Sequence, residues 1–387
     1  MAAFGDAGHA FPAIALARAL RRRGHEVLVE TWERWREAVE AEGLGFTAAE
    51  EYRTFPPPAP GSAEGASAAD AALALMPLMD DFLPDVVVSD ILTAAPALAA
   101  EKAGRPRATL IPHVYPVHEP GMPFFSFGAQ PPRTPLGNAM WRAWLPVLTS
   151  GLRRGRREMN ETRAAVGLTP LARFHGGISP ELALVATFPQ LEYPRRWPAH
   201  VHVTGPMEFE LPYPDVEPPE GDDPLVLVAS STAQDPELRL VRVALEALAE
   251  EPVRVVATTN RLGGSLPDAP PNAVVVDWLS YSQLMPEAAL VVCHGGHGTV
   301  ARALGAGAPA LCCPAVGDMA ENSARVAWAG AGLMLPWRLT GTASLRWAAR
   351  RVLADPGFAQ RASEIAAWAS QNDGAERGAG LVEALAG

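Results

Sequence analysis

Residues 294–300 read HGGHGTV and come directly after the apolar run ALVVC at 289–293, so a buried strand turns there into a helix through consecutive glycines. A bare backbone at such a turn can close around a phosphate. The unpaired N–H groups of the helix start point outward, with the positive end of the helix dipole behind them. His294 adds a donor at the head of the turn, and GAP (307–309) and GDMAENSAR (317–325) complete the block.

Strand and helix signals alternate on both sides of this block. Residues 1–4 read as the tail of a strand and GDAGH (5–9) as a loop. A helix is expected over 12–23, with Pro12 at its start and Gly24 just past its end. Further strands are expected at 26–30, 85–89 and 108–112. Residues 205–224, GPMEFELPYPDVEPPEGDDP, have repeated prolines and acidic residues without usable periodicity, which marks a linker. Beyond it the alternation restarts, with strands at 225–229, 253–258, 273–276 and 289–293 and a helix at 237–249. Strands spaced by helices indicate parallel sheets built from βαβ units. The expected fold class is therefore α/β, with two Rossmann-like halves at 1–206 and 224–370 joined by the linker 207–223. A strand of about five or six residues is typical, so the short stretch before Phe4 points to a mis-assigned start codon, which mass spectrometry of the native protein checks.

The 387-residue chain is 48% apolar, enough for two ordinary cores. Its net charge of −11 argues against nucleic acid as a partner, because phosphate backbones reward a basic face. The one basic run, 153–157, is followed by Glu158 and Glu161 and reads as a solvated helix face. Cys293, Cys312 and Cys313 lie in apolar runs without metal-ligand or disulfide spacing, as in a reduced cytosolic protein. No uninterrupted apolar segment reaches membrane-spanning length, and no signal-like segment opens the chain. A cytoplasmic location without a membrane partner is the expectation.

The order of motifs resembles a family-1 inverting GT-B glycosyltransferase of the bacterial natural-product type, nearly end to end. The likeness is carried by Gly8, His9, Pro12, Leu16, Ala17, Leu20, Arg23, Gly24, His25, Glu26 and Val27, by PDVVVSD (84–90), FPQLEYPRRWP (188–198) and VTGP (203–206), and by the block from Trp278 to Arg325. It implies two Rossmann-like domains facing each other across a cleft, with residues 371–387 packing back on the N-terminal half.

Residue 9 stands at the carboxyl end of the first strand, where open α/β sheets place their sites, and Asp90 ends another strand on the same edge. The resemblance implies that His9 deprotonates the acceptor hydroxyl and that Asp90 supports it. A carboxylate on one ring nitrogen fixes the tautomer and leaves the other nitrogen to take a proton. On the donor side the resemblance assigns the diphosphate to His294, with Gly296, His297, Gly298 and Thr299 supplying amides and a hydroxyl. It assigns the base to Trp278 with Leu279, a phosphate contact to Thr232 after Ser231, and sugar or phosphate contacts to Asp318, Met319 and Asn322.

Three departures bear on the donor. Arg302 stands where relatives using UDP-glucose carry a ribose-gripping glutamate, Met319 replaces a sugar-binding glutamine, and the family's Trp-x-Pro-Gln opening of the block becomes Trp278-Leu279-Ser280-Tyr281. A thymidine nucleotide lacks the 2′-hydroxyl, and methionine packs against a deoxygenated carbon. A dTDP-deoxysugar is favoured, with UDP-glucose close behind; an arginine at 302 could also meet a phosphate. The aromatic stretch 111–149 suits a flat hydrophobic acceptor such as a polyketide or phenolic, with Tyr115, Met122, Phe124, Phe125 and Trp141 as wall residues. His113 and His118 lie in the same stretch and are candidates for second contacts to the acceptor.

No Asp-x-Asp motif, metal-ligand spacing, nucleophile elbow or P-loop occurs. The expected chemistry is a metal-independent single displacement with inversion. No cofactor is expected beyond the nucleotide diphosphate sugar as co-substrate, and a homodimer is compatible with the sequence. A nucleotide-sugar 2-epimerase, or a non-catalytic nucleotide-sugar-binding protein on the same scaffold, are the alternatives.

Overall fold

A computed structural model describes residues 1–387 apart from 50–66, 174, 176, 214, 232–234, 261–267 and 316. In the N-terminal half the strands are β1 (Leu28–Trp32), β2 (Gly45–Ala49), β3 (Val87–Asp90), β4 (Arg107–Ile111), β5 (Leu182–Val185) and β6 (Val201–Val203), all paired in parallel. Ala2 bridges to Glu30 of β1 and to Ser89 of β3. Residues 1–4 thus take the place of the central strand, reduced to one bridging residue with a bridge on each side. The helices of this half are α1 (Ala7–Arg22), α2 (Arg36–Ala41), α3 (Ala68–Ala74), α4 (Met76–Phe82), α5 (Ala94–Lys102), α6 (Pro135–Ala143) and α7 (Leu145–Ala165).

The start of α1 differs from the sequence reading. The Asp6 carbonyl already accepts from the amides of His9 and Ala10, so the helix begins at Ala7 and His9 lies in its first turn rather than in a loop. Pro12 gives up one intrahelical bond and the helix runs through it.

The C-terminal half holds β7 (Leu225–Ala229), β8 (Arg254–Thr258), β9 (Ala273–Val276), β10 (Ala288–Cys293), β11 (Ala310–Cys312) and β12 (Gly332–Met334) in one parallel sheet of order β12-β11-β10-β7-β8-β9. Its helices are α8 (Arg239–Leu248), α9 (Tyr281–Leu284), α10 (His297–Gly305), α11 (Asp318–Ala329), α12 (Thr342–Ala354), α13 (Pro356–Ala369) and α14 (Gly374–Ala386). Every residue of β7 and β11 is buried, as expected for a sheet covered on both faces. Each half has its own apolar core.

The last helix does not stay with the half that precedes it. Ala375, Ala379 and Val382 of α14 belong to the N-terminal core with Leu16, Leu20 and Leu184. Arg23 ties the same helix down through Glu376 and Glu383. Gly374 opens α14 because a Cβ there would run into the carbonyl oxygens of Gly205 and Pro206. Among the described residues no helix is long and apolar enough to cross a membrane.

Candidate active site

Chain order creates a crevice in each sheet. In the C-terminal half the chain leaves β7 toward β8 and β9, then returns to add β10 on the other side. The β7/β10 boundary is therefore a topological switch point, where the loops diverge and open α/β sheets bind ligands. The residues following these two strands are Ser230 and Ser231 on one side and His294 on the other. In the N-terminal half the matching boundary lies between residues 1–4 and β3, flanked by His9 and Asp90.

His9 Nδ1 and Asp90 Oδ2 are 2.7 Å apart. Asp90 is 2% exposed, and its other oxygen accepts the Leu92 amide at 2.8 Å. An ionised carboxylate only accepts, so the ring proton sits on Nδ1 and Nε2 is left to take a proton. Burial works against the imidazolium, but the charge of Asp90, its hydrogen bond, and the charges of Asp318 and Asp6 outweigh that cost. Together they hold His9 above the ordinary histidine range.

Opposite stands the turn into α10. Gly295 has φ +80, and a Cβ there would strike Ser323 Oγ, so the turn requires glycine. Gly296 caps the helix with open space before it, and Gly298 and Thr299 continue the first turn. The His297 side chain faces the other half, its Nε2 2.9 Å from Thr187 Oγ1. Burial, then the charges of His113, Arg325 and His9, push its pKa down to about 3, so it stays neutral. The His294 ring is 2% exposed, 3.5 Å by Nε2 from Asp235 Oδ2 and 5.6 Å from the Trp337 ring. Asp235 in turn caps α8 through the amides of Arg239 and Leu240. The loop after β7 and the head of the glycine turn are thus drawn together; Thr232 lies outside the described residues.

Several assignments are corrected by position. Asn322 is 0% exposed and donates to the Gly295 carbonyl at 3.1 Å, so it holds the glycine turn from behind instead of reaching phosphate or sugar. Arg302, which stands in place of a ribose-gripping glutamate, donates to the Phe209 carbonyl and so anchors the linker. The Leu279 side chain is a core residue beside Leu284 and Met285, so it offers a ligand only its backbone. Tyr115 is 5% exposed in a buried cluster with Ile111 and Val185; its ring faces Trp197 and Arg195 rather than the cleft.

The remaining assigned residues keep exposed surface or aromatic neighbours. The Trp278 indole is stacked on Tyr213 of the linker, centroids 5.2 Å apart and planes 4° apart. Asp318 and Met319 open α11 and are half-buried. Phe124 and Trp141 form an aromatic cluster with Phe127, while Phe125 reaches the His113 ring at 5.7 Å. Met122 is half-buried beside them.

The sequence reading missed the groups that join the halves. Arg325 on α11 is buried between Glu321, at 2.9 Å, and Glu192 of the N-terminal half, at 2.8 Å, and it also donates to the Leu191 carbonyl. Tyr193 covers its guanidinium, 4.1 Å from the ring centre. FPQLEYP contains Glu192, but nothing local in that motif announces a partner 133 positions away.

Residues 1–107 match the family model of the glycosyltransferase family 28 N-terminal domain. Residues 242–383 match that of the erythromycin biosynthesis protein CIII-like C-terminal domain. The chain is 30% identical to 4'-demethylrebeccamycin synthase of Lentzea aerocolonigenes, over 98% of this chain and 97% of that protein. It is 29% identical to O-mycaminosyltylonolide 6-deoxyallosyltransferase of Streptomyces fradiae, over 98% and 95%. Among solved structures, the glycotransferase of kitacinnamycin matches with TM-score 0.75 at 21% identity, covering 100% of this chain and 98% of that one. Glycosyltransferase VinC in complex with dTDP matches with TM-score 0.72 at 21% identity, with the same coverage. The structural matches share the two-domain GT-B architecture, and the sequence match runs the length of the chain. This chain belongs to the inverting GT-B glycosyltransferases of antibiotic and natural-product biosynthesis.

Proposed function

We propose that this enzyme transfers a deoxysugar from a dTDP-sugar to a hydroxyl of a flat, hydrophobic acceptor, with His9 as the base. The observation that carries the reading is the His9–Asp90 pair at one switch point, set opposite the glycine-opened start of α10 at the other. His9 Nε2 takes the proton of the acceptor hydroxyl. The resulting oxygen attacks the anomeric carbon, the bond from that carbon to the phosphate oxygen breaks, and the nucleoside diphosphate leaves with configuration inverted. Helix-start amides at 296–299 face the charge that builds on the leaving group, which is where fixed dipoles lower a barrier most. A metal ion has no assigned part in this route.

Arg302 supports the thymidine preference. Its engagement with the linker leaves no ribose grip at that position, and a nucleotide without a 2′-hydroxyl forfeits nothing there. An epimerase acting on the donor alone would have no use for the aromatic wall of Phe124, Phe125 and Trp141.

A nucleotide that binds only the folded state at 100 times its Kd adds about 2.7 kcal/mol, enough to read as a melting shift. The dTDP compounds are expected to lead a panel of UDP, dTDP, GDP and their sugars. A panel led by UDP discards the donor assignment; no shift with any nucleotide discards the transferase site.

The pH profile tests the base. Transfer needs neutral His9, and its pKa is raised, so activity is lost as pH falls through a value above the usual 6.5. Asp90→Asn removes the charge that raises it. The acidic limb of kcat/KM is then expected to move to lower pH while the maximal rate drops. An unmoved limb means that His9 is not the titrating base.

A further inference from the structure

A second imidazole stands beside the first. The His113 ring lies 6.1 Å from that of His9 and 5.7 Å from Phe125. Its Nδ1 is 2.8 Å from the Val114 carbonyl oxygen. A carbonyl can only accept, so the proton is held on Nδ1 and Nε2 presents a lone pair. The ring is half-buried, and among the described residues Nε2 has no hydrogen-bond partner.

His113 differs from His9 in what backs it. His9 has a buried carboxylate; His113 has only a neutral carbonyl. Burial, and then the nearby His9, hold the His113 pKa below the ordinary range, against the weaker pull of Val114, Asp318 and Asp90. When His9 takes up a proton, the positive charge beside it keeps His113 neutral. Such a group is a poor base and a persistent hydrogen-bond acceptor.

We propose that His113 is a specificity residue that accepts a hydrogen bond from a second hydroxyl or N–H of the acceptor, neighbouring the hydroxyl that His9 deprotonates. The acceptor class this selects is a vicinal or similarly close diol or hydroxy-amine on a flat ring, whose face rests on Phe125. This deepens the reading of His9 as base and rests on it. A ligand lacking the second donor leaves Nε2 unpaired in a desolvated site, and unpaired groups of that kind account for much of the selectivity of polar pockets.

The test compares kcat/KM for paired acceptors: alizarin against its analogue without the neighbouring hydroxyl, and quercetin against kaempferol. Each is run with a dTDP-6-deoxyhexose, dTDP-glucose and UDP-glucose. The expected result is a preference for the diol of about tenfold or more. The ratio should collapse toward one in His113→Phe and be partly kept in His113→Asn, whose amide oxygen can still accept. Melting temperatures of both variants report folding, and the ratio within one variant is independent of how much protein is active. A ratio near one in the native enzyme, or a ratio unchanged in His113→Phe, overturns the proposal. No product from any acceptor also overturns it, and the melting shift then separates the causes. A retained nucleotide shift leaves the donor half standing, whereas a lost shift strikes the underlying transferase reading.

Discussion

Replacing His9 by alanine is expected to lower transfer by about 10²–10⁴-fold, the usual worth of a positioned general base. Donor-induced stabilisation should be unchanged, because the α10 turn is carried by the other half and makes no hydrogen bond to His9 among the described residues. The loss has two parts. The acceptor proton has nowhere to go, and the Asp90 charge no longer has an imidazolium to stabilise. Alanine also strips one oxygen of a buried carboxylate of its partner, leaving the Leu92 amide on the other. His9→Gln, which keeps a side-chain donor near Asp90, should therefore lose transfer equally while melting closer to the native enzyme. Single-turnover transfer and melting with and without nucleotide decide it. Full transfer by His9→Ala with normal donor binding would sink the mechanism.

The second large effect is on stability. Arg325→Met is expected to destabilise the protein by about 3–5 kcal/mol at pH 8, the cost of leaving buried charge unpaired. Arg325 is the cation between Glu192 and Glu321, and the three side chains join α11 to the N-terminal half. Burial already pushes the Glu321 carboxyl up, with Arg325 holding it back. Without the arginine it rises further. A carboxyl whose folded pKa exceeds its unfolded value loses stability as pH climbs from the unfolded value through the folded one. The defect should therefore be larger at pH 8 than at pH 5.5. Adding Glu192→Gln to Arg325→Met should recover part of the loss. Denaturation midpoints at the two pH values test this, and a defect below about 1 kcal/mol at pH 8 removes the triad as a tie between the halves.

What could be read in the chain beforehand tracks the range of the interaction responsible. Strand 225–229 falls where the apolar run puts it, because a strand covered on both faces is written as a continuous run; the edge strand 273–276 also falls on its apolar run, though it is only half-buried. His9 and Asp90 are legible as a pair since His9 follows the first strand and Asp90 ends another on the same edge. The start of α1 differs because Pro12 imitates a first helical position, while the deciding bonds run to the backbone of Asp6, a favoured N-cap type whose side chain makes no cap bond here. Asn322 is read as ligand-facing by likeness of position, Tyr115 from the aromatic stretch around it, and Arg302 as a departure with a phosphate contact as one alternative. What each touches is set by segments far along the chain: Phe209, the Gly295 carbonyl, and the Trp197–Arg195 pair. The His297–Thr187 contact spans 110 positions and left no local trace.

The placement of α14 bears on how the protein comes into being. On the ribosome the N-terminal half emerges first, and domains ordinarily fold as they emerge. Here its core lacks Ala375, Ala379 and Val382 until the whole second half has been translated as well. The nascent first half must wait with the α1 face around Leu16 and Leu20 uncovered while the second half is made. Its folding is thus tied to the synthesis of α14, and residues 1–206 expressed alone would carry that open apolar face permanently.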